Sequence, residues 1–482
     1  NVDNTDGARS VYLSYFNLNS IGLLYPLFSL DQTVQKTLKE LALQGDLHHI
    51  HAKKQYDEVR PWQFSIDFSK FNNAVAQGIP GIKNASGNIL YANQKISLNM
   101  SAVQGSLDFG DVFVLPIPYH ALNAALTIEM NELGWQLKSQ QLALISEELH
   151  LSAELGLTTP ADSLASMSLL ATITKGQVGF AHHYFPLPRM SAGLVNYLKQ
   201  GLVSGDVEQA LVMYDGAFKH FPFVDGSGIF TVDVELKNTE FNFHDKWANI
   251  ENLDANLNFT NNSMMITGRS GGLSNLDMAG VEIGIEELKG SSILTVDVAL
   301  DDVNPKHITQ LMAESTLNNS VGSVLNKLVI GGPVSGQFNL ALPLKAHNEV
   351  VATGLINLHD NMLALHPLDM EFTDISGQFS FINDKITVND LQLSWLELPL
   401  QLSLTTENKD NYFQTNIDLA ASWLKNNWKQ QVPAPLKKYV RGDLNWQGDI
   451  ALHNIHGGGV SYALNLNSTL EGLQLNLPAP YD

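Results

Sequence analysis

The chain has 482 residues and a mass of 52.9 kDa, more than one hydrophobic core usually supports, so several compact units or one elongated repetitive body are expected. Its 49 acidic and 28 basic residues give a net charge of −21, which argues against binding nucleic acid and against docking on an anionic membrane through a broad basic patch. With no cysteine there is no disulfide frame, thiolate metal site or cysteine nucleophile, and the 16% charged content leaves a mostly uncharged polar remainder that suits sheet faces.

The first element in chain order is a short helix at about residues 30–44, within N-terminal strands that extend to about residue 75. Leu30, Val34, Leu38 and Leu41 share its inner face, and Ser29 with Gln32 forms a capping-box pattern. Strands follow. Ile89-x-Tyr91, Ile96-x-Leu98-x-Met100, Leu142-x-Leu144, Leu149-x-Leu151, Val232-x-Val234-x-Leu236, Val296-x-Val298-x-Leu300 and Leu391-x-Leu393 each put apolar side chains on one face. Gly and Asn clusters such as Lys83-Asn84-Ala85-Ser86-Gly87-Asn88 and His456-Gly457-Gly458-Gly459 punctuate them. Val112 to Ile128 is the longest apolar stretch, and Pro116, Pro118, His120 and Asn123 prevent it from spanning a membrane as a helix.

A weak repeat of the form apolar-x-small-x-apolar-x-apolar recurs at Leu122 to Ile128, Leu253 to Phe259 and Ile375 to Phe381. Its spacing of about 120 to 130 residues suits multi-strand sheet units set in series. The expected divisions are 1–75, 76–190, 191–330 and 331–482, the last three each a β-groove unit. Further helices are predicted at Leu194 to Leu202, after Asn304-Pro305, and at Ser422 to Lys429. These are too few to cover so much sheet, so apolar strand faces must meet each other or line something.

Catalytic patterns are weak. Gly268-Arg-Ser270-Gly-Gly272 fits a nucleophile elbow, yet strand-like sequence follows it where a helix is required, which favours a turn between strands. Histidines 49 and 51 could share one side of a strand at zinc-binding spacing, but no third ligand is identifiable, and His182-His183 reads the same way. Glu147 and Glu148 read as neighbours on one strand, pointing to opposite faces and unable to share a proton. The sequence therefore reads as non-enzymatic, with no metal and no cofactor. Tyr184-Phe185-Pro186, Phe221-Pro222-Phe223 and Trp247 are placed at strand ends or bends, where proline stops a ladder cheaply. Trp62, Trp395 and Trp446 raise a minor glycan-binding alternative.

Several segments in fixed order carry a resemblance. They are Leu43-Gln-Gly45-Asp-Leu47, Ile79-Pro80-Gly81-Ile82 with Asn88-Ile89, Tyr184-Phe185-Pro186, Asn196-Tyr197-Leu198 through Gly205, and Gly216-Ala-Phe218-Lys-His-Phe221-Pro222-Phe223. Gly228-Ile-Phe230, Trp247 to Leu253, and Gly472-Leu473 to Pro480 complete the series. With these the chain resembles the AsmA-like family of bacterial envelope proteins, most closely its YhdP branch. The resemblance implies a mainly β fold, an elongated, curved and mostly antiparallel sheet forming an apolar groove with a few short helices. It also implies phospholipid transport between inner and outer membrane, with the bulk of the protein in the periplasm of a Gram-negative bacterium and an anchor in the inner membrane. This chain lacks such an anchor and reads as the N-proximal periplasmic portion of something longer.

The expected partners are phospholipid acyl chains, the inner membrane, and the outer membrane or envelope proteins. The groove candidates are Leu126, Ile128, Leu257, Phe259, Phe379, Phe381, Leu391 and Leu393. Tyr184, Pro186, Phe221, Pro222, Phe223 and Trp247 are expected to be structural. The alternative is a structural or assembly factor of the envelope that binds proteins rather than lipid.

Overall fold

The computed structural model describes residues 2–5, 8–23, 32–55, 62–245, 247–290, 292–313, 328–344, 350–365, 370–424, 427–455 and 458–476. The proposed cap Ser29 with Leu30, the turn residues His456 and Gly457, and the closing Leu477 to Pro480 lie outside them. Contacts divide the chain into two units, residues 1–243 with 250–271 and residues 244–249 with 272–482.

The first unit is an antiparallel meander. It comprises β1 (Val2–Thr5), β2 (Ala8–Asn17), β3 (Gln44–Gln55), β4 (Trp62–Asn73), β5 (Gly81–Ala92), β6 (Lys95–Asp108) and β7 (Ile117–Asn131). It continues through β8 (Gly134–Ile145), β9 (Leu149–Pro160), β10 (Ser166–Gln177), β11 (Leu202–Ala217), β12 (Ile229–Phe241), β13 (Ile250–Thr260) and the start of β14 (Ser263–Leu273). From β1 to β13 each strand pairs with the one before it. The alternation of apolar residues read from the sequence produces this arrangement, because a period of two sends every apolar side chain to the same face.

The second unit repeats the plan. Strands β15 (Leu276–Asp277), β16 (Glu282–Ile285), β17 (Ile293–Val303), β18 (Leu328–Gly331) and β19 (Val334–Pro343) precede a run of hairpins. These are β20 (Val351–Leu365), β21 (Met370–Ile382), β22 (Lys385–Trp395), β23 (Leu398–Asn408), β24 (Tyr412–Trp423), β26 (Leu444–Ile455) and β27 (Val460–Asn467). A separate small ribbon joins β25 (Val440–Gly442) to β28 (Leu473–Leu475). The mainly β, antiparallel fold expected from the sequence is therefore the observed one.

Three helices stand where the sequence places them: α1 (Gln32–Leu41), α2 (Ala192–Gly201) and α3 (Pro305–Ala313). Ser191 caps α2 by accepting the Leu194 amide at 3.2 Å. The fourth predicted helix, Ser422 to Lys429, is not formed. Ser422 and Trp423 end β24 in register with Asn445 and Leu444, and among the described residues a short 3-10 turn follows at Asn427–Gln431. Burying Trp423, whose indole donates to the Pro399 carbonyl at 2.9 Å, outweighs the local helical pattern.

Bulges shape each sheet. In the first unit His49, Lys70, Asn84 and Gln104 on consecutive strands all have positive φ, between 47° and 59°. The ladder registers shift at or beside His49, Lys70 and Asn84. In the second unit Asp302, Asp360 and Asp374 repeat the device at 52° to 54°. A bulge bends its strand and increases local twist, so bulges set side by side on neighbouring strands crease the sheet along a line.

The crease explains two outcomes that differ from the sequence reading. The pair at 49 and 51 loses its common side because His49 is itself the bulged residue. His49 Nδ1 lies 2.9 Å from Asp67, and His48 Nε2 lies 3.0 Å from the Ser69 hydroxyl. The Gly268-Arg-Ser270-Gly-Gly272 segment is not a turn but lies within β14, where Gly271 has φ +131°.

Candidate functional site

In the first unit the strand registers assemble one apolar face without a break. Leu126 on β7 stands opposite Leu98 on β6, which stands opposite Ile89 on β5, and Ile89 faces Ile66 on β4. In the other direction Ile128 stands opposite Leu137, then Leu157, then Met167. Ala171 leads through Val212 and Val232 to Phe259, and Ile173 leads through Ala210 and Val234 to Leu257. All four groove candidates of this unit thus share one face.

On one side of the crease that face closes into a core. Ala85, Ala102, Ile117, Tyr119, Leu122 and Leu144 are buried, with Phe109, Phe113 and Tyr184 packed against them. On the other side Leu126, Ile128, Leu257 and Phe259 are only half-buried. The reverse face is polar. Asn99 donates to Asn88, Asn256 and Asn258 donate to Asp233, and Lys237 pairs with Asp254 at 2.9 Å.

The second unit has the same two-sided character. Phe381 lies between Gly354 and Ile386, and Phe379 between Ile356 and Val388, both half-buried. From Val388 the row continues through Leu404 and Ile417 to Ile450. Leu391 and Leu393 stand opposite Leu402 and Leu400, and at 6% and 4% exposure they belong to a buried core. The eight candidates therefore differ in depth: six are half-buried and two are buried in the core.

The aromatic-proline segments act at the ends of strands. The link after β11 folds Phe221 and Phe223 onto Tyr214 and Phe230, with ring centroids 5.3 Å apart for Tyr214 and Phe223 and 5.5 Å for Phe221 and Phe230. Phe223 is 1% exposed. A Cβ on Gly216 or Gly228 would fall 2.6 or 2.7 Å from its ring, so both positions need glycine. Pro186 lies just after the 3-10 turn Val178–Tyr184, and Trp247 at a bend between β12 and β13.

Sequence reasoning missed a second feature, because it placed Glu147 and Glu148 on a strand. They lie in the turn between β8 and β9, and Glu148 turns inward. Its carboxylate is 3.3 Å from His183 Nδ1 and accepts the Tyr184 hydroxyl at 3.4 Å. Burial, reinforced by that carboxylate, pushes the Tyr184 phenol up to about 12. His182, with its ring 4.3 Å from that of His183, has a lowered pKa, chiefly from burial and then from repulsion by His183.

The folded protein thus holds a proton on His182 less readily than the unfolded chain does. Below about pH 6.5 the unfolded chain binds more protons, so stability is lost as pH falls through the lowered folded value. Melting temperature is expected to drop between about pH 7 and about pH 5, with His182→Asn flattening that slope. An unchanged slope in the variant would remove His182 from the cause.

Among the described residues no group of three or more His, Asp or Glu is arranged to hold a metal ion, and no helix is long and apolar enough to cross a membrane. What the site offers is a long apolar surface with polar groups at its margins.

The YhdP protein family matches residues 3–482. The chain belongs to that family. It is 26% identical over 403 residues to the intermembrane phospholipid transporter YhdP of Escherichia coli (strain K12), a match that covers 83% of this chain and 31% of that protein. The matched region is thus less than a third of that relative. No solved structure matches the chain.

Proposed function

We propose that this chain is the periplasmic portion of a protein attached to the inner membrane of a Gram-negative bacterium, and that it carries phospholipid toward the outer membrane without catalysis. The observation that supports this most is the apolar face that runs from strand to strand in each unit, with Leu126, Ile128, Leu257, Phe259, Phe379 and Phe381 left half-buried on it. The role of the Escherichia coli relative, an intermembrane phospholipid transporter, agrees with it. Leu126, Ile128, Leu257, Phe259, Phe379 and Phe381 form the wall that acyl chains touch, and Leu391 and Leu393 form the base beneath.

The energetics suit a conduit. Burying a methylene contributes about 0.8 kcal/mol, so a sixteen-carbon chain exposed to water costs roughly 13 kcal/mol. An apolar face removes that barrier but supplies no net drive, since the bilayer is equally apolar. Transport would then follow a gradient or an energy source outside these units, supporting outer-membrane lipid homeostasis and the permeability barrier.

The test is native mass spectrometry of the purified chain with organic extraction of what travels with it. Diacyl phospholipid at near-stoichiometric or higher occupancy is expected. A lipid-free mass, under conditions that keep a known lipid carrier loaded, would overturn the reading and favour an envelope assembly factor that binds proteins.

A further inference from the structure

Among the described residues β27 pairs on one edge only, with β26. Val460, Tyr462, Leu464 and Leu466 share one of its faces, with small or polar residues between them on the other. Leu464 stands opposite Ile450, and so ends the row that runs from Val388 through Leu404 and Ile417. The inner members of that row are buried or half-buried. The four apolar side chains of β27 stand open, at 57%, 67%, 51% and 60% exposure in chain order.

A strand at the rim of a sheet offers a row of unpaired N–H and C=O groups, and native edges are blunted by charge, proline or a bulge. β27 uses none of these. Its eight residues include no Asp, Glu, Lys, Arg or Pro, none has positive φ, and its register with β26 runs without a shift. Among the described strands of eight or more residues β19 is the other one without charge, and it is covered on both edges, by β17 and β20. The rim strands of the first unit, β1 and β2, carry Asp3 and Arg9.

The edge is complementary to itself. Two copies set antiparallel about a two-fold axis at Ala463 place Tyr462 of one opposite Leu464 of the other, and Val460 opposite Leu466. On the reverse face Ser461 meets Asn465, and Ala463 meets its own copy, a residue small enough to sit on the axis. This register is the one that pairs all four apolar residues with one another. An axis normal to the sheet keeps each face on its own side, so the apolar face of one copy runs on into the next. Directly opposed aromatic and aliphatic pairs stabilise an antiparallel ladder, and an isologous contact requires such a self-match.

We infer that the open edge of β27 is a homodimer interface, at which two copies of this chain join into one antiparallel sheet about a two-fold axis at Ala463. The contact is one strand wide, at the small end of specific interfaces, so a dissociation constant of about micromolar order is expected. The inference stands apart from the lipid reading and can fail without it.

The test begins with sedimentation equilibrium of the 482-residue chain from about one to about two hundred micromolar, where a monomer–dimer equilibrium is expected. Y462K/L464K puts like charges opposite each other across the axis and should weaken the dimer at least about tenfold. Both positions are exposed, so the fold stays, and urea unfolding checks that it does. Register is read by disulfide trapping, which is clean because the native chain has no cysteine. A463C brings two thiols directly opposite each other, within bonding reach, and should give a covalent dimer on mild oxidation. V460C leaves its thiols about 20 Å apart in the same register and should stay unlinked. A chain that remains monomeric throughout, with A463C unlinked, overturns the inference and leaves the edge to a different partner. A dimer that survives Y462K/L464K, or links as readily through V460C, places the interface elsewhere and overturns it too. Species larger than a dimer would mean head-to-tail strand addition, which the two-fold pairing forbids.

Discussion

Aspartate at Leu126, Ile128 and Phe259 together is expected to strip the first unit of bound phospholipid while leaving its fold in place. All three are half-buried, on the part of the apolar face that the crease leaves outside the closed core. Their carboxylates can reach water, so the folded chain tolerates them. An acyl chain passing over them must instead desolvate them, a cost of several kcal/mol set against the contact it gains, and a loss of at least about a hundredfold in occupancy follows. Thr127→Asp is the control, since Thr127 lies between Leu126 and Ile128 and points to the reverse face. Lipid per chain by mass spectrometry and transfer of a labelled phospholipid between vesicles are the readouts, with urea unfolding to confirm the fold. Full lipid loading in the triple variant would show that acyl chains do not use this face. The same substitution at Leu257, Phe379 and Phe381 extends the test across both units.

Much of this surface was legible in the sequence, because a strand's period of two is local. Leu126-x-Ile128, Leu257-x-Phe259 and Phe379-x-Phe381 announce their shared face without knowledge of any partner strand. The crease was not legible. It depends on His49, Lys70 and Gln104 taking positive φ, which none of these residue types signals, and the Gly at 271 sat in a motif that suggested a turn. Glu148 was missed for a related reason: alternation was extended past Ile145, where the strand ends and the chain already turns. The Ser422 to Lys429 pattern looked helical because local spacing says nothing of a cross-strand partner such as Leu444. Trp62, Trp395 and Trp446 stood out and suggested a sugar, whereas Trp395 and Trp446 pack against the cores of the second unit.

Leu391→Asp is expected to do the opposite of the wall substitutions and unfold the second unit. Leu391 is 6% exposed and sits in a core with Phe372, Ile375, Val388, Leu393, Leu400, Leu402 and Leu419. Its packing is close: a Cβ placed on Gly377, the neighbouring bulge-side glycine, would lie 2.8 Å from a Leu391 methyl. A carboxylate there, among these apolar side chains, must either stay ionised or take up a proton at its own expense. Either way the loss is about 4 kcal/mol or more, a large share of the roughly 5–15 kcal/mol that holds a typical domain together. Leu391→Ala, which leaves a cavity without a charge, is expected to cost about 2–5 kcal/mol. Urea unfolding followed by limited proteolysis separates the two units, and the first should keep its resistance while the second loses it. The contrast with Leu126 is what gives the result its meaning. One residue type, on the same apolar face of the same kind of sheet, is tolerated by the fold where the face stands half open and is lethal to it where strands from both sides of the crease close over. If Leu391→Asp instead folds normally and loses only lipid, that position belongs to the open wall, and the base of the acyl-chain path lies deeper than Leu391.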